Sequence, residues 1–129
     1  MKLSLTLSIL LLFAGCVSVS MPDGYGTYTY YNGEYSGEWL NGKKNGKGIY
    51  RWTKSEWAGD KYEGEFKNDI RHGYGIYTFS DGSIYKGLWK DDLKHGKGLL
   101  IYGPESEGVG HKYEGEFKND IRHGYGIYT

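Results

Sequence analysis

Beyond an opening, predominantly apolar stretch over residues 3–13, the chain alternates with period two. Aromatic residues and glycines take every second position and charged residues fill the places between, as in Lys61-Tyr62-Glu63-Gly64-Glu65-Phe66-Lys67. That period is the side-chain repeat of a β-strand, so Tyr62, Gly64 and Phe66 share one face. Gly73, Gly75, Tyr77 and Phe79 share the face of a second strand. The pattern predicts a hairpin in which Asn68-Asp69-Ile70-Arg71-His72 is the loop. Ser80-Asp81-Gly82-Ser83, and earlier Asn32-Gly33, read as tight hairpin turns.

The alternation is itself repeated. Residues 61–78 recur without change as 112–129, an offset of 51 residues. Inside that unit lies a shorter one: Tyr35-x-Gly37-x-Trp39, Tyr62-x-Gly64-x-Phe66, Tyr85-x-Gly87-x-Trp89 and Tyr113-x-Gly115-x-Phe117. Each is answered nine and eleven residues beyond its glycine by a Gly-x-Gly: Gly46 and Gly48, Gly73 and Gly75, Gly96 and Gly98, Gly124 and Gly126. The period is 23 residues between Tyr62 and Tyr85 and stretches to 27 and 28 where loops at 56–60 and 104–108 are inserted.

This combination resembles the MORN repeat, in which Tyr-x-Gly-x-Trp is followed by Gly-x-Gly and further aromatics. Four units cover 35–129, and Gly24-Tyr25-Gly26-Thr27-Tyr28-Thr29-Tyr30 supplies the second half of a degenerate additional one. The resemblance implies an all-β fold, an extended single twisted antiparallel sheet of tandem hairpins over residues 24–129, about four and a half repeats with the last incomplete. It also implies protein-protein interaction, oligomerisation or phospholipid contact, without choosing among them.

Elementary energetics supports such a sheet. Glycine inside a strand costs about 0.5 to 1 kcal/mol, whereas burying an aromatic side chain contributes about 1.5 to 3 kcal/mol. The alternation therefore predicts that a ring from one strand lies over the missing side chain of its neighbour, with a glycine opposite each large ring. Nine strands spaced about 4.8 Å apart span roughly 40 Å, each held by its neighbours. No helical pattern is available to cover the aromatic face, which is expected to form a partly open groove. The groove aromatics expected from the repeat are Tyr35, Trp39, Tyr62, Phe66, Tyr77, Phe79, Tyr85, Trp89, Tyr113 and Phe117.

The N-terminus carries a different signal. Lys2 precedes the apolar run over 3–13, and Ala14-Gly15-Cys16 follows. Eleven residues span roughly 16 Å as a helix, short of the roughly 30 Å of a bilayer core, so residues 1–15 read as an export signal and not as a permanent span. Phe13-Ala14-Gly15-Cys16 resembles the lipobox of bacterial lipoproteins, with phenylalanine in place of the usual leucine. In that family cleavage leaves the cysteine first and acylated, and two or more chains hold a protein on a membrane. The expected mature form is then lipidated at Cys16, with residues 16–23 as a short linker, in a bacterial envelope. Ordinary cleavage after Ser18-Val19-Ser20 is the competing reading and would release a periplasmic or secreted protein. Cys16 is the one cysteine, so no disulfide is available to staple the fold.

Charge narrows the partners. The sequence holds 16 basic and 16 acidic residues, and removal of the signal takes away only Lys2. Opposite signs alternate along the same segments, with no basic stripe for nucleic acid or for anionic lipid. With about 114 residues left after the signal, one modest domain is expected.

Catalytic and cofactor readings fail on chemistry. The Gly-x-Gly pairs lack the third glycine of a dinucleotide fingerprint and a following helix. His72, His95 and His123 share one repeat position but would stand about 9.5 Å apart, too far for one metal ion, and read as turn residues. Glu63 with Glu65, and Glu114 with Glu116, sit on the solvated face opposite the tyrosines, unlike a buried acid pair in a cleft. The function expected is a non-catalytic binding or scaffold protein with no cofactor and no metal. It would be lipid-anchored, offering its aromatic groove to a protein partner. A cell-wall glycan is the alternative ligand, and a fragment of a longer MORN-containing enzyme is the alternative context. The chain stops at Thr129 without a counterpart of Phe79-Ser80-Asp81-Gly82, as expected of a fragment or of an open edge available for homo-oligomerisation.

Overall fold

The computed structural model describes residues 5–6 and 20–129. Within them the chain is a single sheet whose strands lie in sequence order. A two-residue strand, β1 (Leu5–Thr6), pairs in parallel with the next strand at Gly26 and Thr27. Nine strands then follow in antiparallel succession: β2 (Gly24–Tyr30), β3 (Gly33–Leu40), β4 (Lys43–Trp52), β5 (Lys61–Lys67), β6 (Ile70–Thr78), β7 (Ile84–Lys90), β8 (Leu93–Ile101), β9 (Lys112–Lys118) and β10 (Ile121–Tyr128). The nine antiparallel strands are those expected from the repeat. The rest of the expected signal segment, and Cys16, lie outside the described residues.

Register explains the composition. One row of directly paired residues crosses the sheet as Tyr28, Tyr35, Tyr50, Tyr62, Tyr77, Tyr85, Leu100, Tyr113 and Tyr128. Two positions along, the row is glycine on every strand, from Gly26 through Gly64 and Gly75 to Gly126. The expectation of a glycine opposite each ring is thus corrected: tyrosine faces tyrosine and glycine faces glycine. The rings of Tyr35, Tyr62, Tyr85 and Tyr113 lean diagonally instead, so a Cβ on Gly75 would run into the Tyr62 ring and its hydroxyl. The Trp and Phe positions face glycine directly, as Trp89 does Gly73 and Phe66 does Gly46, and Tyr30 likewise faces Gly33.

Tyr35, Tyr62 and Tyr85 are fully buried, at 0% exposure, and Trp39, Phe66, Trp89 and Phe117 close the same layer. Within each repeat the rings meet edge to face, Tyr62 with Phe66 at 5.0 Å and Tyr85 with Trp89 at 5.2 Å. Between repeats the same geometry recurs, Tyr35 with Phe66 at 5.0 Å and Tyr62 with Trp89 at 5.4 Å. Such pairs contribute about 0.5 to 1.5 kcal/mol beyond their burial, so coupling between repeats matches coupling inside them.

The turns are tighter than the sequence suggested. Asn68 and Asp69 alone join β5 to β6, both in the left-handed region at φ 47° and 73°, as a two-residue turn matched to strand twist requires. Ile70, Arg71 and His72, expected in the loop, are the first residues of β6. His95 and His123 lie likewise in β8 and β10, so the histidines are strand residues and not turn residues. The return from β6 to β7 is longer than the tight turn expected there, closed by the Phe79 N–H on the Ser83 carbonyl.

A bulge follows the turn between β3 and β4, β5 and β6, β7 and β8, and β9 and β10. Register shifts between Gly64 and Phe66, and Gly73 takes φ +63°. The two glycines of Gly-x-Gly therefore do different work, Gly73 for the backbone bend and Gly75 for the ring above it. The Tyr62 hydroxyl donates to the Glu65 carbonyl at 2.9 Å, satisfying a carbonyl freed by the bulge. Glu65, expected to be merely solvated, accepts the Tyr74 N–H on the other side of it.

Candidate ligand-binding groove

The aromatic layer is bordered by a row of cations, of which Arg71 was expected in a loop. Each follows its two-residue turn and turns back over the rings. Lys44 Nζ stands 5.1 Å from the centroids of both Tyr30 and Tyr50. The Arg71 guanidinium lies 4.4 Å from Trp89 and 5.4 Å from Tyr77. Lys94 lies 5.5 Å from Phe79, and Arg122 5.4 Å from Tyr113. An aspartate from the next repeat's turn locks the first three in place. Asp69 accepts the Lys44 backbone N–H at 2.8 Å, Asp120 that of Lys94 at 2.8 Å, and Asp92 both the backbone N–H and Nε of Arg71. The same aspartates return their own N–H to the carbonyls of Lys44, Arg71 and Lys94.

Electrostatics reflects partial burial. Desolvation pulls Lys44 and Lys94 below the usual lysine range, while Asp69 and Asp120 respectively act against it. Burial pushes the phenols up: Tyr30 rises to about 12, and Tyr35, Tyr62, Tyr77 and Tyr85 rise further. Asp60, from the inserted loop, is buried and accepts from the Tyr77 hydroxyl and the Ser80 N–H at 2.8 Å.

One groove crosses the strands beside this row. Its largest depression, 460 Å³, is lined by Trp52, Trp57, Arg71, Phe79, Asp92 and Lys94, with Tyr77, Trp89 and Asp120 at its floor and side. A neighbouring one shares Trp52, Arg71 and Asp92, and a third, sharing Lys44 and Asp69, reaches Tyr30 and Met21. One wall is the alternating series Lys44, Asp69, Arg71, Asp92, Lys94, Asp120; the other is aromatic.

Most rings expected in the groove, Tyr35, Trp39, Tyr62, Phe66, Tyr85, Trp89, Tyr113 and Phe117, are buried in the layer beneath. Tyr77 is buried at the floor of the groove, and Phe79 is half-exposed along it. The accessible partners of Phe79 are Tyr30 and Trp52, at the same place on their strands, and Trp57, 49% exposed on the inserted loop. Their signal was present as a continuation of period two: Tyr28-x-Tyr30, Tyr50-x-Trp52 and Tyr77-x-Phe79. Ring centroids step along the strip from Tyr30 to Tyr50 at 5.8 Å, to Trp52 at 4.5 Å, to Tyr77 at 5.5 Å and to Phe79 at 4.6 Å.

The family model of the MORN repeat matches residues 20–34, 35–60, 62–84, 85–105 and 113–129. The chain is a MORN-repeat protein. Each of the four longer MORN units begins at the tyrosine of a first strand's Tyr-x-Gly motif, and the first match, 20–34, contains β2. No curated protein matches the chain. MORN repeats are commonly binding or scaffold modules and are generally not catalytic. Among the described residues no group of three or more His, Cys, Asp or Glu stands together as a metal site, and no helix is long and apolar enough to cross a membrane.

Proposed function

We propose that this MORN protein is a non-catalytic, membrane-tethered binding protein of a bacterial envelope, acting through the groove. The observation that carries the groove is its continuity: accessible rings face a charge-balanced wall across several strands, in a sheet whose backbone is already paired. Surface of this kind is characteristic of recognition, since apolar area is kept exposed where it is used. Either occupant expected from the sequence, a protein segment or a glycan strand, would lie along this groove across the strands. The tether rests on the lipobox-like Phe13-Ala14-Gly15-Cys16.

The tether is tested by intact mass and fractionation in a bacterial host. The expected product begins at Cys16, carries the added mass of a diacylglyceryl group and a further acyl chain, and moves from the membrane to the soluble fraction on Cys16→Ser. A soluble, unmodified product beginning after Ser20 would refute the tether and leave the groove untouched.

A further inference from the structure

We infer that the groove binds an extended β-1,4-linked glycan strand, with pyranose rings stacked on Tyr30, Trp52 and Phe79 and edge hydroxyls held by the charged wall; this rests on the groove being the recognition surface. Three observations carry it. The first is spacing. Tyr30 and Trp52 end β2 and β4 and Phe79 directly follows β6, each two residues after a tyrosine of the central row, so successive platforms are two strand spacings apart, about 9.5 Å. In an extended β-1,4 chain each sugar is turned over relative to the last. Every second ring then presents the same flat C–H face, at a repeat close to two strand spacings. An α-1,4 chain coils and cannot keep that register.

The second is charge. Arg71 and Lys94 alternate with Asp92 and Asp120 along the wall beside Trp52 and Phe79, giving two donor and two acceptor side chains without net sign. This suits a neutral polyhydroxyl chain, whose hydroxyls both donate and accept. It gives an acidic or a basic peptide nothing to select. The third is the floor. The strand backbones beneath the groove are paired in the sheet, so a peptide crossing the strands would leave its own N–H and C=O groups facing rings. A pyranose chain has no such backbone and presents apolar faces to the rings. Trp57, on the loop inserted between β4 and β5, stands beside Trp52 and closes the groove on one side at this repeat.

The test titrates the full chain, held in detergent, with chitohexaose, cellohexaose, chitobiose and maltohexaose, read by tryptophan fluorescence and calorimetry. The expected result is saturable binding of a β-1,4 hexamer, about tenfold weaker for chitobiose, which reaches a single platform, and weaker still for maltohexaose. Trp57→Ala and Phe79→Ala should each lower hexamer affinity about tenfold, the loss of one ring contact. Tyr74→Ala, exposed on the opposite face, should leave it unchanged. Trp57 is half exposed, so its variant keeps the fold and the far-ultraviolet spectrum. No saturable binding of either β-1,4 hexamer, equal binding of maltohexaose, or affinity unchanged in both groove variants would overturn the inference. A photo-crosslinker placed at position 57 separates the two levels of failure. Crosslinking to a polypeptide, abolished by Phe79→Ala, with no glycan binding, sinks the glycan and keeps the groove. Neither signal sinks both.

Discussion

At the scale of single residues, two glycines two apart in sequence answer to different physics. Gly75 sits beneath the fully buried Tyr62 ring, where a Cβ would meet ring carbons and the hydroxyl. Gly75→Ala should cost about 2 to 3 kcal/mol by overpacking, measured by urea unfolding. Gly73 instead sits at φ +63° against the flexible Glu65 carboxylate, and Gly73→Ala should cost nearer 1 kcal/mol. Tyr62→Leu opens space where the added methyl goes, so the double variant Gly75→Ala with Tyr62→Leu should be less destabilised than the sum by about 1 kcal/mol or more. Additivity would show that the ring is not what excludes a side chain from position 75. The need for glycine was legible in the alternation. The diagonal lean of the ring was not, because it depends on which residues the two strands pair, and period two fixes the face of a residue but not its partner.

At the scale of elements, the hairpin is defined by what its turn exports to the neighbouring repeat. Asn68-Asp69 looked like the start of a five-residue loop because neither residue is glycine, yet both adopt positive φ and the strand resumes at once. That shift carries Arg71 from an expected loop onto the ring face, and the cation row went unforeseen for this reason. Each turn aspartate then holds the backbone of the preceding repeat, which a sequence scan reads as surface charge. Asp92→Ala removes the acceptor of the Arg71 N–H and Nε while leaving its own repeat's rings untouched. The pair is partly exposed, so the expected loss is small, about 1 kcal/mol. Its signature should be local: faster hydrogen exchange at the amide of Arg71, with the corresponding amide of Lys44, held by Asp69, unchanged. Uniform acceleration across the sheet would instead make the clasp part of the global stability and not a joint between repeats.

At the scale of the whole molecule, stability should fail in alkali and should be graded along the array. A phenol whose folded pKa lies above the ordinary 10.0 favours the folded state while neutral; that contribution is complete below pH 10 and is lost as pH rises through about 12 for Tyr30 and higher for the core tyrosines. Tyrosinate absorbance should therefore rise steeply together with loss of the β-sheet spectrum; gradual ionisation with the sheet intact would contradict burial of the row. The grading follows from the unchanged duplication. Residues 61–78 and 112–129 have one sequence, but β6 lies between two strands and β10 pairs with β9 alone. Tyr77 is 5% exposed and its twin Tyr128 50%. Local propensity is identical in the two copies, so any difference in protection is the neighbour's contribution alone, which is the energetics expected of a one-dimensional array. Amide exchange in the 129-residue chain should be slower at Ile76 and Tyr77 than at Ile127 and Tyr128 by about tenfold or more, one order per 1.4 kcal/mol of lost contact. Equal rates would mean that the hairpin, and not the interface between repeats, is the unit that holds the sheet.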